Sequence, residues 1–303
     1  MPKVLVICGA TASGKTSLAV SCAKQLNTEI ISADSMLIYK GLNIGTAKPT
    51  EQEKNGVLHH LIDVVEPSAV FSVSDYEKTA LPILERLLAE NKTPIICGGT
   101  GFYIQSLIYK SQFGNVGANA EIRLKYERLA EEQGVEYVHS LLKEVDKESA
   151  EKLHANDLKR VIRALEIYEI TGKAKSLQKD EKIPRFDFVS VSIEYPREVL
   201  YQRINLRVEQ MFENGLMDEI KNLLNDGVTT EMQCMQGIGY KEVVEGLQKG
   251  YSQAEIIELI QKNTRNYAKR QQTFFKRMQN HVFLSPEQAT AENVIKLLEN
   301  VEK

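Results

Sequence analysis

Eight residues near the start of the chain have the types and the spacing that phosphate binding requires. Glycines in such a loop let successive backbone N–H groups turn toward one anion, Lys15 reaches its terminal phosphate, and the Thr16 hydroxyl is placed for a magnesium ion. This pattern, a P-loop, predicts that the chain holds a di- or triphosphate. The eight residues follow the apolar run 4–8 and are Gly9, Ala10, Thr11, Ala12, Ser13, Gly14, Lys15 and Thr16.

A carboxylate follows the second predicted strand, residues 29–32. Next to a phosphate loop, Asp34 could hold magnesium or act as a general base toward an incoming nucleophile. The alternative is that Asp34 caps the next helix, and Ser35 beside it could hydrogen-bond either a ligand or that cap. We expect Asp34 to belong to the site.

Two further segments carry groups suited to a planar or phosphate ligand. Residues 98–103 follow a buried strand, so that their glycine backbone can approach a flat ligand while Thr100 offers its hydroxyl. The competing interpretation is a simple strand-to-helix turn. Arg203 and Arg207 are four residues apart and share one helical face, where two guanidinium groups suit a pyrophosphate. Ordinary surface arginines are the alternative.

Cations concentrate in two helical stretches. Lys159, Arg160 and Arg163 share a face of one predicted helix, and residues 265–277 interleave cations with aromatic and amide side chains. No acidic residue occurs between residues 259 and 286. Phosphate backbones attract such cations, and Asn, Gln or Tyr can meet bases or sugars. A solvated amphipathic helix is the alternative for each stretch, but the lack of acids in the second favours a polyanion.

The elements that must position these groups alternate between strands and helices. They include a predicted strand at 62–65 and a predicted helix at 75–90 with Ser74 or Asp75 as its cap. Such alternation predicts an α/β fold, a P-loop NTPase-like doubly wound parallel sheet. Ligands of these sheets gather at the carboxyl ends of the strands. We therefore expect the P-loop, Asp34 and the glycines at 98–101 to converge on one pocket.

The middle of the chain changes character. Residues 111–184 lack strand-like runs and are rich in Glu and Lys, which predicts an all-helical insertion domain. One of its helices should start at Asp157 and end at Gly172. Residues 1–110 and 185–303 then form the P-loop core domain, with a helical C-terminal region. We expect the insertion to contact a nucleic acid.

Bulk composition limits the classes of protein. The chain has 303 residues, a net charge of −3 and four scattered cysteines, so it needs no disulfides and a zinc site is not expected. It shows neither a signal-peptide pattern nor a run of about 18 apolar residues. We expect a cytoplasmic protein that does not enter a membrane and acts as a monomer.

Seven segments together closely resemble the bacterial tRNA dimethylallyltransferases. The resemblance runs in the same order over essentially the whole chain, and it is much more specific than a P-loop alone. Two positions depart from it without removing a functional group: Ala10 replaces a common proline, and Phe274 a frequent tryptophan. The segments are Gly9–Thr16, Ala33–Ser35, Asn43–Lys48, His59–Asp63, Gly98–Tyr103, Asn156–Glu166 and Gln236–Glu242.

This resemblance implies a reaction. A dimethylallyl group would pass from dimethylallyl diphosphate to N6 of the adenosine 3′-adjacent to the anticodon, position 37 of the tRNA, with release of diphosphate. The P-loop would grip the diphosphate together with Mg²⁺ on Thr16, and Arg207 would contact the same group. Asp34 would accept a proton from the adenine amine and orient it. The implied catalytic residues are thus Asp34, Lys15, Thr16 and Arg207.

The resemblance also implies contacts with the anticodon stem-loop of tRNA. The target base must leave its stack to reach the pocket, which costs a few kcal/mol that binding elsewhere must offset. The implied contact residues are Asp34, Ser35, Met36, Leu37, Thr100, Arg123, Lys159, Arg160, Val161, Ile162, Arg163, Gln236, Gly237, Ile238, Gly239, Tyr240 and Lys241.

Three other activities fit parts of the sequence. A small-molecule or nucleotide kinase also pairs a P-loop with an aspartate on the next strand, but it usually has an arginine-rich lid. An adenylate isopentenyltransferase would prenylate free AMP, and the basic stretch at 265–277 argues instead for a macromolecular acceptor. An RNA-binding GTPase-like switch is the third, and the chain carries no base-specifying motif of such proteins.

Overall fold

The protein is described by a computed structural model covering residues 3–110, 117–177 and 183–300. Its strands are β1 Val4–Cys8, β2 Ile30–Ser32, β3 His59–His60, β4 Ile95–Gly98, β5 Tyr109–Lys110, β6 Ile183–Pro184, β7 Phe188–Ile193 and β8 His281–Leu284. Its α-helices are α1 Lys15–Leu26, α2 Glu51–Lys54, α3 Val73–Ala89, α4 Gly101–Ile108, α5 Ala120–Gln133, α6 Val135–Val145, α7 Lys147–Lys152, α8 Leu158–Thr171, α9 Arg197–Glu213, α10 Leu216–Asn225, α11 Tyr240–Lys249, α12 Gln253–Phe275 and α13 Ala291–Asn300.

A six-stranded sheet forms the centre of the fold, in the order β3-β2-β4-β1-β7-β8. All neighbouring strands are parallel, with Cys8 of β1 opposite Gly98 of β4 and Ile7 opposite Val191 of β7. Every residue of β1 is buried, as expected for a strand covered on both faces. The predicted α/β fold with a parallel sheet is confirmed. The carboxyl ends of β1, β2 and β4 lie side by side.

The chain forms two compact units. The first comprises Met1–Ile108 and Pro184–Lys303 and contains the six-stranded sheet. The second, Tyr109–Ile183, contains α5 to α8. The chain enters and leaves this second unit through β5 and β6, which pair in a two-stranded sheet. None of the helices in the described part of the chain is long and apolar enough to cross a membrane.

The helical unit is built around a buried carboxylate. Glu166 on α8 is fully buried and accepts hydrogen bonds from Arg123 at 2.8 and 3.0 Å, from the Asn119 amide at 2.7 Å, and from Arg163. Burial alone would raise the pKa of Glu166, but these donors hold it below its usual range. The helix ends at Gly172 in the left-handed conformation, as predicted.

At the edge of the sheet opposite β3, a histidine is hydrogen-bonded to two serines. His281 on β8 places Nδ1 2.7 Å from Ser190 Oγ and Nε2 2.8 Å from Ser192 Oγ, both on β7. Burial lowers the pKa of His281 to about 4, so that the ring is neutral near pH 7. A neutral imidazole has one donor and one acceptor nitrogen, which matches two hydroxyl neighbours.

Between residues 61 and 90, two sequence predictions are wrong. Residues 62–65 do not form a strand, because Leu61 and Asp63 have φ angles of 62° and 55°, which an extended strand excludes. The strand beside β2 is instead β3, two residues long. The helix predicted from Asp75 begins at Val73, because Ser72 and Asp75 form a reciprocal capping box: the Ser72 hydroxyl accepts the Asp75 amide and the Asp75 carboxylate the Ser72 amide.

Candidate active site

The P-loop joins β1 to α1 through backbone that an ordinary residue rarely adopts. Gly9, Ala12 and Gly14 have φ angles of 126°, 60° and 88°. A Cβ on Gly9 would lie 2.9 Å from the Cβ of Ser192, so glycine is required there for steric reasons as well. The loop therefore lies directly against the end of β7.

Inside the loop, two polar groups are arranged for an anion. The Lys15 ammonium donates to the Ala10 carbonyl at 2.6 Å, and burial lowers the pKa of Lys15. The Ser13 hydroxyl is buried and has no hydrogen-bond partner within the described residues. An anion seated in the loop would provide an acceptor for both groups. The Thr16 side chain follows in the first turn of α1, in an exposed position.

Helix α9 brings both predicted arginines to this loop. Arg203 Nε donates to the Ala12 carbonyl at 2.8 Å, and a terminal nitrogen of Arg207 lies 3.4 Å from Thr11 Oγ1. Arg203 is exposed, whereas Arg207 is half-buried and its pKa is lowered by burial. Both arginines therefore contact the P-loop, and Arg207 also lines a cavity.

Asp34 and Thr100 tie the ends of β2 and β4 together. The Met36 amide donates to Asp34 Oδ1 at 2.9 Å, so that the carboxylate shapes its own turn. The Ser35 amide donates to Thr100 Oγ1 and the Thr100 amide to the Ala33 carbonyl, both at 3.0 Å. The next helix begins at residue 51 with Thr50 as its cap, which excludes the helix-cap alternative for Asp34.

A cavity of about 390 Å³ lies between these groups in the first unit. It brings together many of the predicted site residues with others, five of which lie in segments 43–48 and 265–277 that the sequence had also indicated. The predicted ones are Thr11, Asp34, Ser35, Met36, Arg207, Gln236, Gly237, Ile238 and Gly239. The others are Gly45, Thr46, Ala47, Val208, Met211, Gln233, Ile260, Thr264, Tyr267 and Arg270.

Several side chains implied to contact tRNA are buried in the protein instead. Tyr240 is fully buried and donates to Glu219 at 2.6 Å, and Val161 and Ile162 lie in the core of the helical unit. The expectation that these three side chains contact tRNA is wrong, because a packed side chain presents no surface to a partner. Lys159, Arg160 and Lys241 are exposed and Leu37 is half-buried, while Arg123 and Arg163 are held by Glu166.

Gln271 on α12 belongs to the basic stretch 265–277, whose amide side chains could meet bases or sugars. Instead of meeting a base, it is 5% exposed and accepts the Thr11 amide at 2.9 Å, while its own amide donates to the Gly99 carbonyl at 3.0 Å. One side chain thus joins the P-loop to the glycine loop after β4. Its helical spacing from the buried Ala268 and Phe275 was a signal of this inward position.

Glu219 on α10 holds a second loop of the cavity wall. Its carboxylate accepts the backbone amides of Asn43 at 2.9 Å, Ile44 at 2.7 Å and Gly45 at 3.2 Å. A Cβ on Gly45 would lie 2.5 Å from the ring of Tyr240, so the loop can pack this closely only through glycine. The loop belongs to segment 43–48, which the sequence singled out through its resemblance alone.

Tyr267 on α12 lines the cavity together with Asp34. Burial raises the pKa of Tyr267 to about 12, so its hydroxyl stays protonated, and this side chain has hydrogen-bonding contacts with Thr100 and Gln271. The guanidinium of Arg270 lies 5.7 Å from the centre of the Tyr267 ring. The site therefore has a cationic P-loop side and a carboxylate side, connected by one helix.

Comparison with known proteins identifies the family. The model of the IPP transferase family matches residues 37–278 of the chain. The chain belongs to the IPP transferase family. Curated relatives in this family include the tRNA dimethylallyltransferase of Acetivibrio thermocellus, 46% identical over 302 residues, which cover 98% of this chain and 96% of the relative. The tRNA dimethylallyltransferase of Caldanaerobacter subterraneus is 47% identical over 279 residues, covering 90% and 89%.

Solved structures agree with the IPP transferase assignment. A tRNA delta(2)-isopentenylpyrophosphate transferase from Staphylococcus epidermidis is 39% identical, with a TM-score of 0.72 and 99% of each chain covered. A eukaryotic dimethylallyltransferase described as acting on tRNA aligns with a TM-score of 0.80 at 31% identity, over 96% of this chain and 74% of that one. The resemblance found in the sequence is therefore confirmed.

Proposed function

We propose that this protein transfers a dimethylallyl group from dimethylallyl diphosphate to N6 of the adenosine at position 37 of tRNAs, 3′-adjacent to the anticodon. The observation that carries the proposal is the single cavity lined by both Arg207, beside the P-loop, and Asp34. A diphosphate and a general base can thus serve one reaction. Relatives named tRNA dimethylallyltransferase that match nearly the full chain support the same activity.

The cationic side stabilises the leaving group. As the allylic C–O bond breaks, its electron pair goes to the diphosphate, and the added charge is met by the P-loop amides, Lys15 and Arg207. Arg203 supports this side by holding the Ala12 carbonyl. Because the donors are fixed before the bond breaks, little reorganisation is needed in the transition state.

Magnesium fits the oxygen donors of this site. The Thr16 hydroxyl, in the first turn of α1, is a hard oxygen ligand that would hold the ion, and the described residues contain no group of three or more His, Cys, Asp or Glu side chains able to hold a metal. Mg²⁺ is typically held by one or two protein oxygens plus phosphate oxygens and water. When bound, the ion supplies further charge neutralisation at the diphosphate.

The carboxylate side prepares the acceptor. The adenine amine is a weak nucleophile because its nitrogen lone pair is conjugated with the ring. Asp34 accepts a proton from N6 as the N6–C bond forms, and its turn, fixed by the Met36 amide, holds it in place. The adenosine reaches Asp34 by leaving the anticodon-loop stack.

The anticodon stem-loop binds through cations on the surface. On α12, Lys269 and Arg270 are exposed, and on α8, Lys159 and Arg160 are exposed. Phosphates would meet these side chains, while residues 236–239, which line the cavity, would border the flipped base. The four cysteines are free thiols, as is usual for proteins of the reducing cytoplasm, where we propose that the protein acts as a monomer.

A direct assay tests the proposal. Purified protein is incubated with dimethylallyl diphosphate, Mg²⁺ and unmodified tRNA that has an adenosine-rich anticodon loop, and the nucleosides are analysed by mass spectrometry. We expect N6-dimethylallyladenosine, and its absence would contradict the proposal. Parallel reactions with AMP as acceptor, and with ATP and small acceptors, distinguish an adenylate isopentenyltransferase and a kinase.

A further inference from the structure

Phe102, near the candidate active site, is a large apolar side chain exposed to solvent. It is the second residue of α4 and is 65% exposed, whereas its neighbour Tyr103 is 2% exposed. The ring of Phe102 meets the ring of Phe274 on α12 edge to face, with centroids 5.5 Å apart and an interplanar angle of 72°. Phe274 in turn contacts the buried Phe275 at 5.4 Å. We name Phe102 and Phe274 the aromatic platform.

The aromatic platform adjoins the cavity. Phe274 lies four residues after Arg270 and seven after Tyr267, so the three share one face of α12. Tyr267 and Arg270 line the cavity. Phe102 follows Thr100 by two residues, and Thr100 is hydrogen-bonded to the cavity-lining Ser35. Phe274 is therefore about one helical turn from the cavity-lining Arg270, and Phe102 is in contact with Phe274.

A glycine fixes the position of the aromatic platform. A Cβ on Gly101 would lie 2.2 Å from the ring of Phe274, so this ring packs directly on the bare backbone of the loop after β4. The same loop is joined to the P-loop through Gln271. The platform is thus rigidly connected to the catalytic loops, and a ligand on it would be held in a defined place relative to Asp34.

The charge around the platform selects the kind of ligand. Lys269, Arg270 and Arg277 are exposed on or just after the same helix, and no acidic residue occurs between residues 259 and 286. Unpaired RNA combines an anionic backbone with flat, apolar base faces, and proteins recognise it by stacking the bases on aromatic side chains between cations. A purely apolar protein partner would not require the cations.

We propose that Phe102, supported by Phe274, stacks an unpaired base of the anticodon loop that neighbours the target adenosine. This inference rests on the proposed function and adds an RNA-recognition site outside the cavity. A base held on the platform would keep the loop open while the adenosine enters the cavity. Phe102 is therefore a positioning residue for tRNA and has no role in binding the prenyl donor.

Binding and kinetic measurements on Phe102→Ala and Phe102→Tyr test the proposal. The RNA is an anticodon stem-loop with fluorescent 2-aminopurine at the nucleotide beside the target adenosine. We expect Phe102→Ala to raise the Kd for this RNA about 5- to 150-fold and to remove the fluorescence quenching caused by stacking. The KM for dimethylallyl diphosphate stays unchanged, and Phe102→Tyr, which keeps the ring, restores binding.

Phe283→Ala is the matched control, because Phe283 is a partly exposed phenylalanine on β8 that does not line the cavity. It should bind the RNA like the wild type. Suppose that Phe102→Ala binds the RNA and quenches its fluorescence like the wild type, while the wild type prenylates tRNA. The proposal that Phe102 stacks a base is then wrong, and the proposed function is retained. If the wild type quenches 2-aminopurine through Phe102 but does not prenylate tRNA, base stacking on Phe102 is supported and the proposed function is wrong.

Discussion

A conservative substitution of Asp34 should distinguish a role in tRNA binding from a role in catalysis. Its carboxylate is half-buried at the end of β2, with one oxygen engaged by the Met36 amide at 2.9 Å. An asparagine there can keep this hydrogen bond and the shape of the turn, but it cannot accept a proton.

Asp34→Asn should therefore lower kcat on the order of 10²- to 10⁴-fold while changing the Kd for tRNA only a few-fold. Single-turnover kinetics and filter binding measure the two quantities separately. Asp218→Asn, at a carboxylate 81% exposed on α10, is the control and should leave both unchanged. Equal losses of kcat and affinity in Asp34→Asn would make Asp34 a binding residue rather than a base.

Gln271 supports the P-loop from a distance of 260 residues along the chain. Gln271→Leu leaves the Thr11 amide and the Gly99 carbonyl without their partner, which should cost roughly 1–3 kcal/mol of folding free energy. The KM for dimethylallyl diphosphate should rise, because the Thr11 end of the loop loses its support. Urea denaturation and initial rates check the two effects.

The neighbouring Gln272→Leu serves as the control for this change. Gln272 is half-buried and lies on the same helix, one residue further along and therefore on a different face. It should retain the stability and the KM of the wild type. If both leucine variants behave alike, the bridge through Gln271 does not support the P-loop.

How far residues could be assigned from sequence depended on how local their signals are. Lys15 and Thr16 belong to an eight-residue pattern whose geometry is set within the loop itself. Gln271 and Glu219 carry no such pattern, because their roles depend on which distant helix packs against which loop. The same separation explains why Tyr240 was expected at a tRNA surface although its hydroxyl is directed to Glu219.

At the scale of elements, helices were predicted well where caps and periodicity agreed. Helix α8 occupies Leu158–Thr171 and is followed by Gly172, in agreement with the helix predicted from Asp157 to Gly172. The apolar residues at 62–65 misled the strand prediction, because an apolar run carries no information about the left-handed backbone at Leu61 and Asp63. From the sequence, Arg203 and Arg207 could be placed side by side, because a spacing of four residues fixes a shared face on α9.

The contact between β7 and β8 should respond to pH. An unfolded histidine has a pKa near 6.5, whereas burial lowers that of His281 to about 4 in the fold. Between these values the unfolded chain binds one more proton at this site, so the stability contributed by neutral His281 is full above about pH 6.5 and declines as the pH falls toward 4.

Urea denaturation of the wild type and of His281→Phe at pH 7, 5.5 and 4.5 measures this contribution. The comparison cancels the titration of other groups, and the stability difference between the two proteins should change in favour of the variant as the pH falls. A difference that stays constant over this range would show that His281 does not titrate differently in the folded and unfolded states.

At the scale of the whole molecule, charge is distributed unevenly. The net charge is −3, yet residues 260–285 contain cations and no acids. Binding of tRNA should therefore weaken as salt is raised, with a linear relation between log Kd and log salt concentration.

Lys269→Gln should reduce the slope of that relation by roughly 0.7–0.9 if Lys269 meets one phosphate. Fluorescence anisotropy of labelled tRNA over a series of KCl concentrations provides the slope. Lys296→Gln, at a lysine on α13 that pairs with Glu292 at 2.7 Å, is the control and should keep the wild-type slope. An unchanged slope in Lys269→Gln would remove this side chain from the RNA surface.

The order of the strands also has a consequence for synthesis of the chain on the ribosome. Strand β1 lies between β4 and β7, and β7 follows the entire helical unit in sequence. While residues up to 183 emerge, one edge of β1 has no partner, and Ser192 is not yet present against Gly9. The helical unit, being continuous, can fold during this interval. The nascent phosphate loop is thus completed late, after its supporting strand leaves the exit tunnel.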